Sequence, residues 1–348
     1  MKRIWGILPL LLLCLLSCHP EHEKPYQPKP YELPKPSYFP SLTNIPADNP
    51  MTEEGVALGR KLFYDPRLAG RETNAGITCC ASCHHQANSF EFGAPTGTHH
   101  AMLPLVNLAW NTTGLGWNGG VNTLEDMVRA AVTSPVEINA DTLQVVRFLQ
   151  ATNDYPPLFE KAFGSRDITF FNIERAIAQF VRSLVSSDSK FDRYLRGEAQ
   201  LTQDELQGYL LFVTEDGADC FHCHGGGGNA LMTTHLFYNN GLDANFNDPE
   251  DRSAITGNPN DRGAYKAPTL RNVAVSAPYM HDGRFQTLDE VIDFYSDSVK
   301  NSATISPLMH HVMQGGVRLT AQEKSQLKAF LLTLTDETFL NNPNYAAP

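Results

Sequence analysis

Two short runs of this 348-residue sequence carry residue types suited to covalent cofactor chemistry: Cys80-Ala81-Ser82-Cys83-His84 and Cys220-Phe221-His222-Cys223-His224. C-x-x-C-H is the attachment pattern of c-type haem. Two thiols add to the porphyrin vinyl groups, and the histidine beside them is thereby placed under the iron as an axial ligand. The competing readings are a zinc site and a disulfide. A zinc held by four thiolates would need a second cysteine pair at each motif, and the sequence has none to give. Cysteines so close in sequence also make poor structural staples, even in an exported chain. Cys79 is left over and reads as a small buried residue without a chemical role.

The elements around the two motifs repeat. Before the first, Gly59-Arg60-Lys61-Leu62-Phe63 ends a helix-like stretch opened by Thr52-Glu53-Glu54. Before the second, Gly208-Tyr209-Leu210-Leu211-Phe212 ends another, opened by Thr202-Gln203-Asp204-Glu205. Both openings resemble N-caps followed by acidic first turns. Downstream, the twelve residues from Trp117 align without gaps to the twelve from His281. Each segment is a glycine turn, then a threonine cap with an acid three residues on, then a helix. Leu288, Val291, Ile292 and Tyr295 share one helical face, matched by Leu124, Met127, Val128 and Ala131. Ile173, Ala176, Ile177, Phe180, Val181, Leu184 and Val185 mark a further helix, with Asn172 as its expected cap. Thr320 and Glu323 form a capping box ahead of Leu327, Phe330, Leu331 and Leu334. Alternating strand patterns are scarce. The expected fold is mostly α: two tandem cytochrome c-like helical domains, each with one covalent haem.

Where the halves differ, the chemistry should differ. A second protein ligand on the iron makes an electron carrier, and an open position admits a small molecule. Tyr295 sits where a side chain could reach the second haem, while its counterpart Ala131 can ligate nothing. One closed and one open haem would favour an enzyme over a two-haem wire. Alternatively Tyr295 is a core tyrosine and Met280 or Met309 is the ligand. Glu137, just past the open-site helix and Pro135, could move a proton between the oxygens of bound peroxide. Its alternative is a solvated surface carboxylate. Trp117, matched by His281, could be a stepping point for electrons or simply core.

Composition sets the frame. The sequence is 42% apolar and 19% charged with a net charge of −11, suiting two soluble domains and arguing against nucleic acid as a partner. Lys2 and Arg3 precede an apolar run over residues 4–16, shorter than the ~20 residues of a membrane span. Leu15-Leu16-Ser17-Cys18 resembles a lipobox, so residues 1–17 read as a lipoprotein signal peptide, a plain signal peptide being the alternative. Either way the chain is expected to be exported, and a lipid on Cys18 would be its membrane contact. Pro20, Pro25, Pro28, Pro30, Pro34, Pro36 and Pro40 make residues 18–45 an extended tether. An N-terminal haem domain at 46–195, a C-terminal one at 196–340 and a tail at 341–348 complete the expected layout.

The chain resembles the bacterial dihaem cytochrome c peroxidases, within the superfamily that also contains the dihaem enzyme MauG. The resemblance covers roughly residues 52–340. It is carried by Leu58-Gly59-Arg60-Lys61-Leu62-Phe63-Tyr64-Asp65, by both C-x-x-C-H motifs and by Ala277-Pro278-Tyr279-Met280-His281-Asp282-Gly283-Arg284-Phe285. It implies a periplasmic enzyme with two c-type haems that reduces hydrogen peroxide with electrons from a small cytochrome or similar donor. The N-terminal haem would be peroxidatic and the C-terminal haem electron-receiving. By position, Trp117 matches the tryptophan between the haems, Glu137 the pocket glutamate and His281 a histidine contacting haem near the domain interface. Tyr295 falls on the distal ligand position, where peroxidases carry methionine and the MauG type tyrosine. The resemblance also implies a calcium ion between the domains, held partly by the carbonyls of Ser276 and Pro278, and admits a homodimer. Departures are Asn118 for an aspartate, Met127 for a pocket glutamine and Met102 for a calcium-site asparagine. His99 and His100 lie near, but not at, the position of a removable histidine. Three functions therefore compete: a peroxidase, a MauG-type oxidase of protein Trp or Tyr residues, and a non-enzymatic electron-transfer cytochrome.

Overall fold

The computed structural model describes residues 26–71, 76–91, 100–226 and 228–348. The signal segment, Cys18 and His99 lie outside them. Twelve α-helices are found among the described residues: α1 (Glu53–Tyr64), α2 (Leu124–Thr133), α3 (Thr142–Gln150), α4 (Tyr155–Phe163), α5 (Phe170–Ser183), α6 (Lys190–Leu195), α7 (Gln203–Phe212), α8 (Phe221–His224), α9 (Arg252–Thr256), α10 (Leu288–Asp297), α11 (Ala321–Leu332) and α12 (Glu337–Leu340). Strand β1 (Phe237–Tyr238) pairs antiparallel with β2 (Tyr265–Lys266). No helix among the described residues is long and apolar enough to cross a membrane.

Threonines fix the starts of the main helices. Thr52, Thr123, Thr202, Thr287 and Thr320 each accept a hydrogen bond from a first-turn N–H of the helix they precede. Each hydroxyl satisfies a donor that the helix itself leaves unpaired. The cap of α5 is Thr169, not Asn172: the Asn172 N–H donates to the Thr169 hydroxyl at 3.1 Å. The asparagine therefore lies inside the first turn. The α5 stripe is buried as expected, with Ile173, Ala176 and Phe180 fully enclosed. Each large side chain of such a stripe contributes about 1.5–3 kcal/mol.

The repeat persists in three dimensions. Helix α1 crosses α5, and α7 crosses α11, each at a glycine. A Cβ on Gly59 would lie 1.9 Å from the Ala176 carbonyl oxygen, and one on Gly208 would lie 1.9 Å from that of Gln326. Only a hydrogen side chain permits these backbones to approach so closely. The turns ahead of α2 and α10 also agree: Leu115 pairs with Val121 around one, Tyr279 with Phe285 around the other. Gly119 and Gly283 take the same left-handed conformation, with φ of 75° and 70°.

Among the described residues the two main cores are centred on Phe63, Val132 and Phe180 and on Phe212, Ile292 and Phe330. The two cores interleave along the chain. Phe191 already belongs to the second core, while Phe339 and Tyr345 return to the first. Residues 341–348 are not a loose tail: Arg60 Nε donates to the Ala346 carbonyl and Tyr64 Oη to that of Tyr345, both at 2.7 Å. Nor are residues 26–45 a free tether. Phe39 is buried against Trp110, whose indole donates to the Pro40 carbonyl, and Tyr38 donates to the Ser187 carbonyl. Prolines exclude helix and central strand, but aromatic residues between them can still anchor an extended chain to a surface.

Candidate haem centres

Each C-x-x-C-H motif forms one tight turn. The N–H groups of Cys83 and His84 both donate to the Cys80 carbonyl, and those of Cys223 and His224 to the Cys220 carbonyl. The thiols of a pair thus lie one turn apart with the histidine directly after them. All four are free thiols. Burial pushes Cys80 and Cys220 far above the usual thiol range and Cys223 up to about 12. Burial that disfavours the thiolate argues against a thiolate zinc site.

Both motif histidines are oriented for ligation. His84 Nδ1 lies 2.5 Å from the Phe90 carbonyl, and His224 Nδ1 lies 3.0 Å from that of Pro268. Burial lowers each to about 4, so the rings are neutral. With Nδ1–H donating to a carbonyl, Nε2 is the nitrogen left to ligate a metal. Ser89 and Phe90 both adopt positive φ, which turns the Phe90 carbonyl onto His84.

Cys220, Cys223 and His224 open onto a cavity of about 1630 Å³, including its mouth, which also reaches Tyr295, Met280 and Met309. It is therefore a predominantly apolar hollow with thiols, an imidazole and candidate distal ligands on one boundary surface, which fits a covalent haem. The Tyr295 hydroxyl accepts a hydrogen bond from the Asn240 amide at 2.9 Å, and the same amide lies 3.7 Å from the Met280 sulfur. Burial raises the Tyr295 phenol well above its usual range. Lys266, also on the cavity, is lowered to about 7 by burial and by Arg252. A carboxylate such as a haem propionate would offset that cost.

In the first half, Ala131 occupies the α2 position equivalent to Tyr295 and offers only a methyl group. Past α2 the chain turns back at Ser134, and this turn carries Glu137, half-buried. Burial raises its carboxyl, with a Ser134 hydrogen bond offsetting part of the rise. The Glu137 charge in turn raises both Cys80 and Cys83, so its carboxyl lies within electrostatic reach of the first attachment turn.

Between the halves lies an aromatic cluster. The Trp117 indole donates to the Ala101 carbonyl, whose own N–H donates to the His281 carbonyl, both at 2.7 Å. His281 stacks on Tyr265 with ring centroids 3.7 Å apart. Tyr265 Oη and His100 Nε2 share one carboxylate oxygen of Asp248, at 2.6 and 2.7 Å. His100 is thus held at the interface rather than in open solvent. Asn118 takes the role of the aspartate it replaces, accepting from the Gly120 N–H as Asp282 accepts from the Arg284 N–H.

Sequence reasoning missed Asn240, Tyr265, Asp248, Lys266 and Glu91. Glu91 is buried on the interdomain cavity, and burial raises it well above the carboxylate range, partly offset by Ser276. None of these residues carries a local pattern that would mark it.

The family profile described as "Di-haem cytochrome c peroxidase" matches residues 53–200. The methylamine utilization protein MauG of Methylorubrum extorquens is 34% identical over 301 residues, spanning 84% of this chain and 81% of that protein. The cytochrome c551 peroxidase of Nitrosomonas europaea is 30% identical over 321 residues, spanning 87% and 85%. Among solved structures, a MauG-like protein associated with microbial copper homeostasis superposes with a TM-score of 0.81 at 36% identity, over 91% of this chain and 99% of that one. The diheme peroxidase BthA from Burkholderia thailandensis, 21% identical, shares the fold with a TM-score of 0.67 over 86% of this chain and 91% of that one. The likeness runs through both halves of the repeat, and on it this chain belongs to the di-haem cytochrome c peroxidase family, a haem oxidoreductase family whose cofactors are two c-type haems.

Proposed function

We propose that this chain is an exported peroxidase that reduces hydrogen peroxide to water with electrons from a small c-type cytochrome or similar redox protein. The observation that carries this reading is the contrast at one repeat position, Ala131 against Tyr295. When bound, the haems would supply an open iron on His84 for peroxide and an electron-receiving iron on His224.

The chain's own residues do the rest. Cys80 and Cys83 would hold the first group and Cys220 and Cys223 the second, with His84 and His224 offering Nε2 as the ligating nitrogen. Glu137 takes a proton from one peroxide oxygen and returns it to the other, easing O–O cleavage. Its burial suits this task by bringing the carboxyl nearer to neutrality. Trp117 and His281 link the halves, and Tyr295 closes the second site with Asn240 orienting its hydroxyl. The carbonyls of Ser276 and Pro278 are the groups that would contribute to a calcium site between the domains. Met102 contributes no oxygen there. The chain would act in the periplasm, anchored by a lipid on Cys18.

A second reading is favoured by the buried phenol of Tyr295 together with the MauG relatives: peroxide-driven oxidation of Trp or Tyr residues on a protein partner. Steady-state peroxide turnover with a reduced small cytochrome tests the first reading. Rapid turnover supports it. Peroxide consumption only alongside oxidation of a protein's aromatic residues would establish the second reading in its place.

A further inference from the structure

Just ahead of and within the second attachment turn, at the edge of the cavity that Asp219 and His310 also line, two histidines converge on one carboxylate. Asp219 precedes Cys220 and adopts a left-handed backbone with φ of 57°. His222 Nδ1 lies 2.6 Å from Asp219 Oδ1. His310, from a segment far along the chain, brings its Nδ1 to 3.5 Å from Asp219 Oδ2 and 3.1 Å from Glu215 Oε1. The His222 and His310 rings meet edge to face with centroids 5.0 Å apart. One ligand atom each from Asp219, His222 and His310 lies within 4.8 Å of the others.

We propose that Asp219, His222 and His310 bind one divalent transition-metal ion of the zinc class, with Glu215 as a fourth ligand from the rim. In a tetrahedral zinc site with ligand bonds of about 2.0–2.1 Å, ligand atoms stand roughly 3.3–3.4 Å apart. His222 Nδ1 stands 2.6 Å from Asp219 Oδ1 and His310 Nδ1 3.5 Å from Asp219 Oδ2 and 3.1 Å from Glu215 Oε1, so to take an ion the His222 ring must draw back from the carboxylate while the set, whose atoms lie within 4.8 Å, closes around it. The donor set selects the metal. Two imidazoles suit zinc, copper or nickel, whereas calcium and magnesium demand oxygen ligands throughout. Charge agrees as well: the carboxylates of Asp219 and Glu215 bring two negative charges to the cluster, which a divalent cation offsets. Access is open, since the His310 side chain is 34% exposed and that of Glu215 62%, while Asp219 at 7% supplies a fixed, sheltered anchor.

The site is tested on the full haem-loaded chain, stripped of loose metal by a chelator and exchanged into metal-free buffer. Zn²⁺ alone is titrated in a calorimeter into the natural chain and into His310→Ala and Asp219→Asn. The expected result is one equivalent bound by the natural chain and weakened by at least about tenfold in both variants, with haem absorption unchanged. Asp219→Asn could disturb the attachment turn, so His310→Ala, on the surface, carries the test alone if that variant fails to load haem. Zn²⁺ binding equal in the natural chain and His310→Ala would overturn the proposal, as would no binding to the natural chain.

Discussion

Trp117 and His281 meet edge to face with ring centroids 6.4 Å apart, and the Ala101 peptide hydrogen-bonds to both. One residue comes from each half of the repeat, at equivalent positions, so the contact is a direct bridge across the domain seam. Trp117→Phe keeps a ring there and removes the indole donor. Loss of that hydrogen bond costs about 0.5–1.5 kcal/mol of stability. Peroxide turnover should fall by about tenfold or more, beyond what so small a loss of stability explains. Stopped-flow electron transfer between the haems, set beside a denaturation curve, separates the two effects.

Glu137→Gln should lower kcat for peroxide by about 10²–10⁴-fold while leaving haem attachment intact. On the proposed mechanism the carboxylate form would accept the proton, and burial raises its pKa above the ordinary value. Activity should therefore fall as pH drops through that raised pKa. The variant should lack this acidic limb in its pH–rate profile.

Gly59→Ala and Gly208→Ala should destabilise the protein by similar amounts, about 1–3 kcal/mol each. The gain in helix propensity, about 1 kcal/mol, is outweighed because the new methyl meets backbone rather than a flexible side chain. Chemical denaturation followed by haem absorbance measures both. A neutral effect at either glycine would contradict the shared crossing geometry.

Asp192→Asn should cost about 3–5 kcal/mol, since it leaves the Arg271 guanidinium buried without its carboxylate. In the folded protein, burial opposes the Asp192 charge, but Arg271 and Ser189 outweigh it and hold the carboxyl below its ordinary range. Its contribution is thus present above the unfolded pKa, about 3.9, and is lost as pH falls through the lower folded value. Denaturation curves of the two proteins should differ at neutral pH, begin to approach one another below about pH 4 and meet only below the folded value.

Local patterns made much of the fold legible. Threonine caps, the α5 stripe, the attachment motifs and the gapless repeat are relations among residues within a few turns of one another, and the structure places them accordingly. Glu137 and Trp117 could be singled out from sequence because one lies just past a threonine-capped helix and the other opens the gapless repeat. Asn240 reaches Tyr295, and Tyr265 reaches His281, only once distant segments pair, so no spacing announces them. The Pro-rich segment shows a different limit. Proline fixes what a backbone cannot form and says nothing about whether Tyr38 and Phe39 will find a surface. The cap of α5 was displaced to Thr169 because an asparagine and a threonine three residues apart offer the same chemistry.

On the proposed reading one iron is open and the other closed, set by Ala131 and Tyr295. Electron paramagnetic resonance of the oxidised, haem-loaded protein tests it most directly, alone and with Tyr295→Phe. The natural chain should give one high-spin and one low-spin ferric signal, with the low-spin signal changed by the substitution and the high-spin signal kept. Two low-spin signals with no high-spin species, or spectra unchanged in Tyr295→Phe, would contradict it.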